Sequence, residues 1–457
     1  MKIAGIIAEY DPFHSGHAYH IAKTRAQTGA EGIVVVLGGE FTQRGEGAWC
    51  SKYLRAKAVL LSGADLVLEM PVPYALGSAE RFAKGGVCLL DALGCVDFLS
   101  FGSESGDAEK IGAFAALSES EIFLEKTKKA LSEGVSAPSA RQKATETLSP
   151  ELGDIARNPN DTLGAEYCKW LKRLESEMTP FAVKRYGCAH GEETVLKSGI
   201  ASATYLRSFS EPRDIFPYVP ANTHSLLESE YESGKLPFDE KLFERGALAV
   251  LRGISERDLE KVPDCAAEGL YHRVYSAVRE ASSLDELCSL IKTKRYTMSR
   301  VKRIVAAAVL GIDESKVEDE IPPYIRVLGM NEKGAAILKE AKASGCALPI
   351  SSSLADLEKT SRNAKGSRLY KQVKSKPHFV LYAKTVKGTS GLLFKDDSPL
   401  VNVADIPFMD LDSTFSVPFD INDDNYSFIK DDMSDFEEAL IVDIPKGYFE
   451  ETDSEEE

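Results

Sequence analysis

The chain has 457 residues, 43% of them hydrophobic and 28% charged, and a formal net charge of −16. That length exceeds the size at which one hydrophobic core stops growing, so two or more domains are expected. The apolar opening Met1–Ala8 meets Glu9 and Asp11 too early for a signal peptide, and no apolar run is long enough to span a bilayer. A cytoplasmic protein with no membrane partner is expected.

The acidity is concentrated at one end. Residues 396–457 carry 20 Asp/Glu against Lys430 and Lys446, a net of −18, which leaves the preceding 395 residues at +2. An acidic tail therefore masks a nearly neutral body with local basic clusters, and the global charge does not exclude a polyanionic partner. The eight cysteines form no CxxC pair, and a chain of this size needs no disulfide framework. Cys88 and Cys95 read as small core hydrophobes.

In chain order, Lys2–Ala8 reads as a strand, followed by a helix from about Ala18 to Gln27. Gly32–Leu37 is a second strand, Lys52–Leu61 a helix, Ala64–Met70 a third strand, Ala79–Leu93 a helix and Val96–Gly102 a fourth strand. Such alternation predicts an α/β fold, a Rossmann-like parallel sheet covered by helices, with ligand at the carboxyl ends of the strands. Residues 107–176 read as mainly helical, with breaks near Pro138 and Pro159. Phe181–Tyr186 is a candidate fifth strand, and Ser202–Arg207 opens a helix. A boundary near Pro217–Pro220 divides an α/β domain, residues 1–220, from a mainly helical C-terminal domain, 221–395. In the latter, helices are expected at Leu242–Gly253, Ala267–Ala281, Leu284–Thr293, Ser299–Leu310 and Gly334–Ala343, with a strand-like Phe379–Ala383. Residues 396–457 form the acidic, partly disordered tail.

The chemistry concentrates directly after the first strand. His14-Ser15-Gly16-His17 is an HxGH tetrad, and three of the seven histidines (His14, His17 and His20) fall in this window. Three-residue spacing lets His14 and His17 face the same side of an opening helical turn. Gly16 removes bulk where a phosphate approaches the backbone, and free N–H groups with the helix dipole add anion affinity. Imidazoles donating to phosphates stabilise charge as pyrophosphate leaves. A polar helix cap is the plainer reading of the same residues. Clustered histidines also suit zinc, but no cysteine lies nearby and no metal site is expected. Later, Ser202, Thr204 and Arg207 form an S-x-T-x-x-R pattern whose hydroxyls, helix amides and guanidinium suit β- and γ-phosphates. An ordinary N-cap with a solvated arginine is the alternative.

HxGH early plus SxTxxR late resembles the nucleotidyltransferase superfamily that includes pantetheine-phosphate adenylyltransferase and relatives of class I aminoacyl-tRNA synthetases. Gly38–Glu46, Ser62–Pro71, Ser78–Ala83, Phe101–Glu104, Asn160–Tyr167, Lys294–Thr297 and Leu328–Gly334 narrow the resemblance to the tRNA(Met) cytidine acetate ligase family, over roughly residues 1–395. The resemblance implies that ATP and acetate react to acetyl-adenylate and pyrophosphate, and that acetyl passes to N4 of the wobble cytidine of elongator tRNA(Met). It implies an ATP site of Ile7, Ala8, Glu9, Tyr10, Asp11, Pro12, Phe13, His14, Ser15, Gly16, His17, Ala18, Tyr19, His20, Gly102, Asn160 and Arg185, with His14 and His17 binding phosphates in the transition state. Mg²⁺ is expected to accompany ATP. The family usually has Asn where this chain has Asp11, Ser15 and Glu40, so Asp11 and Glu40 are expected to add negative charge beside an anionic site.

Lys292–Arg303 holds six basic residues (Lys292, Lys294, Arg295, Arg300, Lys302 and Arg303) and no acid. Around Tyr296, a stacking surface for an unpaired base, this run is the expected RNA contact. A second basic run spans Lys359 to Lys376. The alternatives to an acetate ligase are an adenylyltransferase for a small metabolite and a non-catalytic ATP-sensing RNA-binding protein.

Overall fold

The computed structural model describes residues 1–185, 201–209, 211–233, 236, 238, 240–266, 269–314, 321–346, 348–353, 355–357 and 359, and the backbone of 381–386, 389–394 and 440–441. Five strands form the expected parallel sheet: β1 (Ile3–Ala8), β2 (Gly32–Leu37), β3 (Leu66–Glu69), β4 (Phe98–Ser103) and β5 (Thr179–Lys184), in spatial order β3-β2-β1-β4-β5. The order reverses between β1 and β4, which makes the crevice above those two strands the topological switch point. β1 and β2 read as almost continuous apolar runs because both faces of the sheet are covered. Ile3, Ile7, Val34 and Val36 pack into one core, whereas Ala4, Ile6, Ile33, Val35 and Leu37 enter the core on the opposite face.

Helices fall where the apolar spacing places them, with local caps fixing their starts. Ser51 accepts from the Leu54 amide ahead of Lys52–Leu61, and Ser78 from the Arg81 amide ahead of Ala79–Ala92. The expected breaks near Pro138 and Pro159 are helix starts, since Pro occupies the first turn of both Ala137–Leu148 and Pro159–Arg173. The first helix begins at Ser15 rather than near Ala18, which puts Gly16 and His17 in its first turn. Helices at Glu240–Gly253, Leu270–Glu280, Leu284–Ile291 and Met298–Val309 build a separate core. A hairpin of β8 (Leu381–Val386) and β9 (Thr389–Phe394) replaces the single strand expected there; β7 is Ile350–Ser351. Of the acidic stretch only the two-residue strand β10 (Leu440–Ile441) is described. No helix among the described residues is long and apolar enough to cross a membrane, and the seven described cysteines are free thiols.

The sheet contains an element absent from the sequence reading. β6 (Ile325–Met330), from the segment assigned to the C-terminal domain, pairs antiparallel with β3. Two buried carboxylates hold it. Asp65 accepts from the Ile33 amide (2.8 Å) and from Asn331 Nδ2 (3.0 Å), and pairs with Arg25. Glu69 accepts from Lys52 Nζ (2.7 Å) and Arg326 Nη1 (2.9 Å), and all three side chains are buried. Burial alone would lower the Arg326 and Lys52 pKa values, but the facing carboxylate raises both instead. Glu69→Gln would leave the buried Arg326 without its facing carboxylate and the buried Lys52 with only the weaker pull of Glu40. The expected destabilisation is about 3–5 kcal/mol in chemical denaturation; a loss below about 1 kcal/mol, the range of a surface pair, would show that the triad does not hold β6 in place.

Candidate active site

At the carboxyl end of β1 the chain turns sharply. Tyr10 sits at φ 50°, a left-handed conformation uncommon for a residue with a side chain, and its ring packs against Phe13 and His17. His14 then caps the helix Ser15–Thr28. Its Nδ1 accepts from the Gly16 amide (3.1 Å), and the His14 amide donates back to His17 Nδ1 (3.3 Å). The two rings stack with centroids 3.5 Å apart. Because both Nδ1 atoms accept, both Nε2 atoms carry the proton. Neither Nε2 has a hydrogen-bond partner among the described residues, so both remain available as donors.

Burial fixes the charge state. It pushes His14 down to about 3, with Arg185 and Arg207 adding to the effect. His17 lies well below its ordinary value, through burial and then the neighbouring His14. His20, whose Nε2 is 3.1 Å from Ser100 Oγ on β4, is lowered by burial and Arg185 to about 4. The tetrad therefore presents neutral N–H donors at physiological pH, and positive charge comes from arginines.

These residues open onto a cavity of about 270 Å³ above the switch point. Of the expected ATP-site residues, Ile7, Ala8, Glu9, Tyr10, Asp11, His14, Gly16, His17, Tyr19, His20, Gly102, Asn160, Arg185, Ser202 and Arg207 line it; Pro12, Phe13, Ser15, Ala18 and Thr204 do not. Phe13 is core. The S-x-T-x-x-R segment works differently from the expectation that its hydroxyls face phosphate. Ser202 caps the short helix Ala203–Arg207 by accepting from the Tyr205 amide, and Thr204 Oγ1 accepts from Arg207 (3.3 Å) and Arg44 (3.2 Å). Arg207 also donates to the Asp11 carbonyl at 2.6 Å. Thr204 thus orients two guanidinium groups that themselves line the cavity.

Thr42, Gln43 and Arg44 line the cavity from the loop after β2, at a strand's carboxyl end where ligand is expected; sequence reasoning missed Phe82, Phe101, Leu163 and Tyr167 on its apolar side. It also missed Arg55, 1% exposed, whose guanidinium donates to the backbone carbonyls of Glu9 (2.6 Å), Gly38 (3.1 Å), Gly39 (2.5 Å) and Cys50 (3.2 Å). One buried cation shapes the loops after β1 and β2. The signal for Arg55 was a cation one turn after Lys52 on a helix face that continues with Ala58 and Val59.

Asp11 and Glu40 are offset by cations. Asp11 Oδ1 accepts from the Trp49 amide (2.7 Å), and its carboxylate faces Arg207 at 4.0 Å. Glu40 does not line the cavity; its Oε1 accepts from the Lys52 amide (3.4 Å). Burial raises both carboxyls, and Arg55 works against that at each of them.

The basic run divides. Lys294 and Arg295 are exposed. Tyr296 is not a stacking platform: its ring is buried in the helical core with the Arg300 guanidinium over it. Lys302 and Arg303 dock the helical unit instead, Lys302 pairing with Glu46 (2.6 Å) and Arg303 donating to the Gln43 carbonyl (3.3 Å). Of the second run, Lys359 pairs with Asp356, and Arg362 to Lys376 lie outside the described residues.

The histidine charge states have a pH signature. A histidine with a lowered folded-state pKa costs stability as pH falls from its unfolded value near 6.5, because the unfolded chain takes up the proton first. For His20 that loss develops between about 6.5 and 4. The melting temperature of His20→Gln relative to the unaltered chain should therefore rise as pH is lowered through that window; a pH-independent difference would contradict the buried neutral state.

Known proteins carry the same architecture. The HIGH Nucleotidyl Transferase family model matches residues 1–388. The tRNA(Met) cytidine acetate ligase of Caldicellulosiruptor saccharolyticus is 40% identical over 351 residues, 75% of this chain and 85% of that protein. That of Clostridium novyi is 37% identical over 363 residues, covering 77% and 89%. The apo crystal structure of Thermotoga maritima TmcAL matches with a TM-score of 0.75 at 29% identity, over 82% of this chain and 92% of that one. The crystal structure of the same protein bound with alpha-thio ATP gives 0.73 at 29% identity, over 82% and 91%. The HIGH tetrad at the switch point and this similarity along most of the chain agree: the chain belongs to the tRNA(Met) cytidine acetate ligase family of HIGH nucleotidyl transferases.

Proposed function

We propose that this protein is an ATP-dependent ligase that activates acetate as acetyl-adenylate and transfers the acetyl group to N4 of the wobble cytidine in elongator tRNA(Met). The observation that carries the reading is the pair of neutral imidazoles, each with Nδ1 bonded to backbone, beside Arg185 and Arg207 in a cavity at the strand ends. A carboxylate attacking an α-phosphate needs alignment and charge neutralisation more than a protein nucleophile. The Nε2–H groups of His14 and His17 donate to phosphate oxygens as the bond to pyrophosphate breaks, and the arginines take the added negative charge. Gly102, which presents no side chain, and Asn160 line the same cavity. The names and the alpha-thio ATP complex of the relatives support ATP, acetate and tRNA(Met) as the reactants.

Among the described residues no group of three or more His, Cys, Asp or Glu is arranged to hold a metal ion. Mg²⁺ is assigned to travel with the triphosphate and neutralise its charge. Residues 1–220 are assigned the adenylation role, with β6 and its following helix completing the sheet, and the helical unit in 221–395 the RNA. Lys292, Lys294 and Arg295 are the members of the basic run assigned to phosphate contacts, and the reaction is assigned to the cytoplasm.

Incubation with ATP, radiolabelled acetate and elongator tRNA(Met) should place acetyl on the RNA. His14→Ala should lower acetate-dependent pyrophosphate exchange by about 10²-fold or more, the scale of losing one preorganised donor, while circular dichroism stays unchanged. Exchange at the unaltered rate in that variant would remove His14 from the chemistry; pyrophosphate release that depends on a different acceptor would point to a small-metabolite adenylyltransferase.

A further inference from the structure

The second half of the proposed reaction makes a demand that the HIGH tetrad does not meet. The exocyclic amine of cytosine is a weak nucleophile, because its lone pair is delocalised into the ring. As N4 bonds to the acetyl carbon and the carbon–oxygen bond to AMP breaks, N4 must lose a proton to a group in the cavity.

Among the described lining residues, those that ordinarily titrate at or below neutrality are Glu9, Asp11, His14, His17 and His20. His14 and His17 use Nδ1 to accept backbone amides, so their exposed nitrogens are donors. His20 is engaged with Ser100. Asp11 Oδ1 holds the Trp49 amide, and its Oδ2 is buried, facing Arg207. Glu9 differs. Its Oε1 accepts from the Gln43 amide, which fixes the side chain against the loop after β2. Its Oε2 has no hydrogen-bond partner among the described residues and is not among the buried unsatisfied atoms. Carboxylates are also the side chains that accept from cytosine N4 in base recognition.

Building on the acetate ligase reading, we infer that Glu9 is the general base of acetyl transfer: its Oε2 accepts a hydrogen bond from cytidine N4 and takes the proton as the carbon–nitrogen bond forms. The products are the N4-acetyl amide, AMP and a protonated Glu9 that returns its proton to solvent. The surroundings suit the role. Burial raises the Glu9 carboxyl above the ordinary range, towards the pH at which a base works best. Asp11 adds to that rise, while the Gln43 amide, Arg55 on the helix Lys52–Leu61 and Arg44 on the loop oppose it. Tyr167, on the helix Pro159–Arg173, faces it as a neutral phenol.

The test separates the half-reactions in the full-length protein. Glu9→Gln keeps an oxygen for the Gln43 amide but cannot take a proton. Acetyl transfer from pre-formed acetyl-adenylate to tRNA should fall about a hundredfold, with a far smaller loss in acetate-dependent pyrophosphate exchange. Single-turnover transfer by the unaltered protein should rise with pH through the Glu9 titration, and the variant's slow rate should lack that rise. Transfer by Glu9→Gln at the unaltered rate, or equal losses in both half-reactions, would overturn the assignment. An unaltered protein that makes acetyl-adenylate yet acetylates no RNA would sink the functional reading and this inference with it, and is told apart because the variant plays no part in that result.

Discussion

The reciprocal bond between His14 and His17 is the constraint on which the site depends. Each imidazole spends its Nδ1 on a backbone amide at the start of one helix, so each is held in a single tautomer with Nε2–H outward. Burial removes the protonated form from the physiological range. The donors are therefore preorganised before any phosphate arrives, and they bring no full charge of their own. That arrangement rests in turn on the path of the chain between β1 and the helix, where Tyr10 takes a left-handed conformation and Arg55 gathers the Glu9, Gly38 and Gly39 carbonyls. The preceding strand is fixed by sheet pairing on both sides, to β2 and β4.

The same loops connect the nucleotide cavity to the helical unit. Thr42, Gln43 and Arg44 line the cavity, while the Gln43 carbonyl and Glu46 bind Arg303 and Lys302 on the helix Met298–Val309. Gly45 sits between, at φ 81°, with the position of a Cβ only 2.4 Å from the Arg303 amide nitrogen. No side chain fits there, so the close approach requires glycine. The basic run read from sequence is thus partly an internal joint: its C-terminal residues fasten the helical unit to the loop that shapes the active site, whereas Lys294 and Arg295 are exposed.

The legibility of the fold follows from the range of the interactions involved. β1, β2 and the helix Lys52–Leu61 were readable because apolar period and turn residues are local signals. The tetrad was readable because its residues are contiguous and its cap is built within four positions. β6 was not, because its antiparallel place beside β3 is set by Arg326 meeting Glu69 and by Asn331 meeting Asp65, partners more than 250 positions away. Arg55 and Tyr296 escaped for a related reason. A charged side chain, or a tyrosine inside a basic run, reads as surface in a sequence, and only the fold reveals four carbonyls around one and an apolar core around the other. Thr204 was placed in the right segment with the wrong contact, since its hydroxyl orients arginines rather than facing the cavity.

The most direct test of the paired-imidazole site is nitrogen-15 NMR of the histidine-labelled protein without ligand. The ring nitrogens of His14 and His17, assigned through single substitutions, should report the neutral Nε2–H tautomer at pH 7, and His14 should remain so on acidification to about pH 5, well above its lowered value of about 3. A protonated imidazolium, or the Nδ1–H tautomer, at either position at pH 7 would contradict the account.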